Sequence, residues 1–113
     1  MYVISEEKFK KVIESFGLQA REYYNCIECN YYDDKEIADM DFVCRGVYVR
    51  KGYLEVECAN EINKWTCDKQ IRCNGFRAVY TIEDFIAHLR KLRGDYNKAK
   101  EQMKKDMLNG MFI

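Results

Sequence analysis

The chain has 113 residues, 48% hydrophobic and 34% charged, with no proline; this is a globular composition and excludes a disordered or proline-rich linker protein. Formal net charge is zero, and no apolar run approaches the roughly 20 residues of a membrane span. The length suits a single domain, 1–113, and the polar start Met-Tyr-Val-Ile-Ser-Glu-Glu-Lys is not expected to serve as a secretory signal, so a cytoplasmic protein is expected.

In chain order, Ser5 followed by Glu6 and Glu7 predicts a helix start, with acidic side chains at the positive end of the helix dipole. Phe9, Val12, Ile13 and Phe16 form one apolar stripe, and Gly17 is placed to end the helix in the left-handed conformation. Residues 18–32 are aromatic and alternating, which predicts extended structure interrupted by a turn at Cys26-x-x-Cys29. The acidic stretch 33–41 reads as a loop.

Residues 42–50 and 53–59 are two β-prone runs around Lys51-Gly52, a hairpin pattern. A two-residue loop would set Val49 opposite Leu54 and Val47 opposite Val56, with Cys58 on the buried face and Cys44 on the other. Residues 60–73 read as irregular or briefly helical, and 75–80 as another strand. Thr81 is a helix cap ahead of the stripe Ile82, Phe85, Ile86, Leu89 and Leu92. Gly94 is expected to separate this helix from a last one over 95–109. The expected fold is α+β: a small antiparallel β-meander with one N-terminal and two C-terminal helices.

Six cysteines in a reducing compartment should be thiols or metal ligands. Cys26 and Cys29 have the spacing of half a zinc knuckle, and Cys67 with Cys73 is the candidate second pair, closing the domain with structural zinc. The wide gap between Cys67 and Cys73 leaves substitutes open, Cys44 or Cys58 for one member, or His88 in a three-cysteine, one-histidine site. Unliganded thiols acting as small hydrophobes remain the competing reading. A redox role for Cys26-x-x-Cys29 is disfavoured, because the flanking residues do not start a helix.

No catalytic constellation is legible. There is one histidine, no nucleophile elbow, no P-loop and no dinucleotide fingerprint. Asp33-x-Lys35 and Glu6-x-Lys8 echo nuclease triplets but fall in loop and helix-start positions, where solvated charge explains them. A non-enzyme is expected.

Charge is segregated along the chain. Residues 1–60 hold 8 Lys/Arg against 12 Asp/Glu, while 86–113 hold 7 against 3. The acidic tract Glu28, Asp33, Asp34, Glu36, Asp39 and Asp41 follows the tyrosine pair Tyr31-Tyr32, which makes Tyr31, Tyr32, Asp33, Asp34, Glu36, Asp39 and Asp41 the candidate partner-binding residues. Together with the short chain and the missing enzyme motifs, this character resembles small phage-encoded inhibitors of type II CRISPR (Cas9) nucleases, the anti-CRISPR proteins. The resemblance lies in overall character, with no shared motif. It implies a protein that binds a Cas nuclease and blocks loading of guide RNA or target DNA. The alternative is a zinc-stabilised nucleic-acid-binding regulator that uses the basic C-terminal helices.

Overall fold

The computed structural model describes residues 3–31, 42–65 and 70–108. A short strand β1 (Ile4–Ser5) leads into helix α1 (Glu6–Ser15). Ser5 caps α1, its hydroxyl accepting from the Lys8 amide at 3.3 Å. Lys10–Glu6 and Lys11–Glu7 ion pairs, each 3.1 Å, lie along its solvent side. At the other end Gly17 takes φ 69°, and the Gly17 and Leu18 amides close back on the Glu14 and Ile13 carbonyls. This is the reciprocal C-terminal cap that a left-handed glycine makes possible.

Five further strands follow: β2 (Gln19–Glu22), β3 (Cys26–Asn30), β4 (Cys44–Arg50), β5 (Tyr53–Trp65) and β6 (Gln70–Val79). All pair antiparallel in the order β1-β5-β4-β3-β2, with β6 also on β5. Helix α2 (Ile82–Leu108) completes the α+β fold, and the Thr81 hydroxyl accepts from the Asp84 amide at its start. Both helices pack on one sheet face. Phe9 of α1 stacks on Phe85 of α2 with centroids 5.4 Å apart, and the shared core takes in Ile27, Leu54, Val56 and Val79. No described helix is long and apolar enough to cross a membrane.

Four sequence expectations need correction. The β4–β5 hairpin turns at Lys51-Gly52, with Gly52 at φ 81°, but the register slips between Tyr48 and Arg50. Val49 is an extra residue there, so Tyr48 opposes Leu54, Gly46 opposes Val56 and Cys44 opposes Cys58. One bulged residue exchanges the two faces of the strand, which brings Cys44 into the core and leaves Val47 outside.

Residues 60–65 and 70–73 are strand rather than irregular, since β5 runs on to Trp65 and pairs with β6 from Gln70; 66–69, also within that expectation, lie outside the described residues. Cys26-x-x-Cys29 is not a turn but lies within β3. Finally, Gly94 does not break a helix: α2 is continuous over 27 residues, about 40 Å of helix. Its inward side, through Tyr96, Ala99 and Met103, continues burying apolar surface beyond the glycine, and this packing outweighs one poor helix former.

Candidate interaction surface

Among the described residues, the expected metal ligands Cys26, Cys29 and Cys73 are not grouped around one point. Side chains alternate along a strand, so Cys26 and Cys29 lie on opposite faces of β3, one half-buried and one buried. Burial, with Glu28 nearby, pushes the Cys26 thiol pKa up. Cys73 sits on β6, its thiol donating to the Phe42 carbonyl at 3.0 Å. Cys67 lies outside the described residues. Among the described residues no group of three or more His, Cys, Asp or Glu side chains is arranged to hold an ion.

Cys29 instead lies opposite Cys44, and Cys44 in turn lies opposite Cys58, a row across β3, β4 and β5. All three are fully buried. The Cys44 thiol shares hydrogen bonds with both neighbours, and these, together with burial, raise its pKa well above the ordinary thiol range. His88 is likewise buried, and its Nε2 bonds the Ala59 carbonyl. Burial lowers its pKa, because a charged ring would lose its hydration.

The partner-binding set divides. Tyr31 is only 6% exposed and stacks on Tyr96 of α2 at 4.5 Å, so it builds the core rather than a contact surface. Tyr32, Asp33, Asp34, Glu36, Asp39 and Asp41 lie outside the described residues. Among the described residues the most exposed tyrosines are Tyr23 and Tyr24 at the β2–β3 turn, Tyr53 at the start of β5 and Tyr80 just after β6.

The sheet face away from the helices carries an arrangement that sequence reading missed. The registers set Arg21 beside Glu28, Glu28 beside Arg45, and Arg45 beside Glu57, a row of alternating charge across four strands. Within it, Arg45 Nε and Nη2 both donate to Glu57 Oε2 at 2.6 Å. The same guanidinium lies 5.7 Å from the Phe42 ring centre and 5.5 Å from that of Phe76, two rings stacked at 4.7 Å. Arginine suits this place because its flat cation can bond a carboxylate and lie against aromatic rings together.

Beside the row is a shallow groove of about 300 Å³, lined by Val47, Glu55, Glu57, Ala78 and Tyr80. Its floor is apolar, its rim holds two carboxylates, and no described helix covers it. Only the registers reveal these neighbours: each residue looks like an ordinary solvated strand position until the bulge at Val49 is known. Comparison of the chain with known protein families, with curated proteins and with solved structures finds no match.

Proposed function

We propose that the chain is a non-enzymatic protein-binding inhibitor that binds a type II CRISPR (Cas9) nuclease through its helix-free sheet face and interferes with loading of guide RNA or target DNA. The observation that carries the binding role is the groove between Val47 and Tyr80, apolar at its base and edged by Glu55 and Glu57. A nucleic-acid channel is basic, and a groove with a carboxylate rim and an apolar base suits competition for it. The choice of nuclease rests on the sequence resemblance, to which the acidic tract 28–41 contributes.

The test is a pull-down against candidate Cas9 proteins with a cleavage assay. Capture with inhibited cleavage is expected, reduced at least 10-fold by Tyr80→Ala or Val47→Glu, the loss of about 1.4 kcal/mol of binding. Unimpaired cleavage without capture would sink the proposal. A second reading, a zinc-stabilised nucleic-acid-binding regulator, draws on the unbroken α2 helix, where Arg90, Lys98 and Lys105 are exposed. A gel-shift salt series and metal analysis separate the two: steep salt dependence and about one zinc per chain would favour the second.

A further inference from the structure

The row Cys29, Cys44 and Cys58 has a chemical capacity that neither metal binding nor docking uses. Residues directly opposed on antiparallel strands have Cα atoms about 4.5–5.5 Å apart, inside the roughly 4.4–6.8 Å window of a disulfide. Cys44 is so placed toward both Cys29 and Cys58. Cys29 and Cys58 stand two strand spacings apart, about 9.5 Å, beyond the bridging limit of about 7 Å. Any disulfide within the row must therefore contain Cys44.

We propose that this row is a disulfide-forming site in which Cys44 pairs with either Cys29 or Cys58, using a small-molecule disulfide as oxidant. One protein thiolate of the row attacks a sulfur of the oxidant, forming a mixed disulfide and expelling one thiolate. An adjacent row thiolate then attacks the protein sulfur of that mixed disulfide and expels the second. Two protein thiols have lost two protons and two electrons, and the oxidant has become two thiols. The third cysteine remains beside the new bond. Its thiolate can attack the Cys44 sulfur and release the first partner as a thiolate, moving the bond across β4 with no net oxidation.

Access sets the rate. The three side chains are 0% exposed, and the helix crosses beside them, His88 of α2 bonding the carbonyl of Ala59 next to Cys58. The oxidant reaches the row when this packing opens, so bond formation is slow and records opening of the core.

The experiment incubates the full chain with oxidised glutathione under native conditions, alkylates the remaining thiols in denaturant and maps disulfides by non-reducing digestion and mass spectrometry. Cys29–Cys44 and Cys44–Cys58 are both expected. Cys58→Ala should leave the first bond alone and Cys29→Ala the second, while Cys44→Ala should abolish both. Circular dichroism checks that each variant folds. If Cys44→Ala does not fold, the wild-type map and the two outer variants still decide. A Cys29–Cys58 bond, or a row that stays fully reduced or carries only glutathione adducts, would overturn the site.

Discussion

Gly46 lies against Leu54 so closely that a Cβ on the glycine would stand 2.6 Å from Leu54 Cδ1 and 3.3 Å from its Cβ. Leu54 is fully buried and cannot swing aside. Gly46→Ala is therefore expected to destabilise the fold by about 1–3 kcal/mol through overpacking, measured as a lower urea midpoint at unchanged slope. A neutral result would mean that β4 and β5 can separate locally without cost.

Gly94 makes the opposite case. It lies inside α2 with no atom within 4 Å of an added Cβ. Gly94→Ala should stabilise the protein by about 0.5–1 kcal/mol, because alanine loses less backbone entropy on entering a helix. A raised melting temperature checks this; a fall would indicate a bend at that point.

His88 predicts the acid limb of the stability curve. Its folded pKa is below the ordinary 6.5, so between the two values the unfolded chain binds more protons. Stability from this residue is complete above about 6.5 and is lost as pH falls through the depressed folded value. Melting temperature should decline between pH 7 and pH 5, and His88→Gln should flatten that decline. An unchanged slope in the variant would rule His88 out as its source.

Tyr48 predicts the alkaline limb. Its hydroxyl is placed to donate to Glu22 Oε1 at 2.8 Å or to Glu6 Oε1 at 3.2 Å, with Lys10 reaching both carboxylates. Burial first, then these carboxylates, raise its pKa well above 10. The folded state keeps the proton after the unfolded chain has lost it, so this contribution is whole below pH 10 and falls away above it. Tyr48→Phe should lower stability by about 1 kcal/mol at pH 7 and weaken the loss seen above pH 10 in denaturant titrations.

Tyr31 separates packing from surface contact. Its ring is stacked on Tyr96 within the core, so Tyr31→Ala should cost about 3–5 kcal/mol of stability, the scale of a large aromatic truncation. Tyr24→Ala, at a fully exposed turn residue, should change stability by less than about 0.5 kcal/mol. Equal effects in thermal melts would contradict this assignment.

Local chemistry made part of the fold legible in the sequence. Ser5, the apolar stripe of α1 and Gly17 each act within a few residues, and so does the Lys51-Gly52 turn. Long-range pairing decided what was missed. The far half of β5 holds Asn60, Glu61 and Asn63, poor strand formers that are held by β6. At Gly94, burial of Tyr96, Ala99 and Met103 overrode intrinsic propensity. The row of thiols and the charged row on the other face were hidden for one reason: both depend on a bulge that no composition rule locates. The turn expected at Cys26-x-x-Cys29 came from a spacing that suits a knuckle, whereas these residues form β3, whose pleat sends the two side chains to opposite faces.

The bulge also bears on how β4 tolerates changes in length. Deleting Val49 would leave Tyr48 opposite Leu54, Gly46 opposite Val56 and Cys44 opposite Cys58, since Val49 is the residue the ladder skips. Deleting Val47, two positions earlier, would turn Arg45 toward the core and expel Cys44 and Gly46 from it. Loss of a single codon could thus be silent at one site and ruinous at the other, although both encode valine in the same strand.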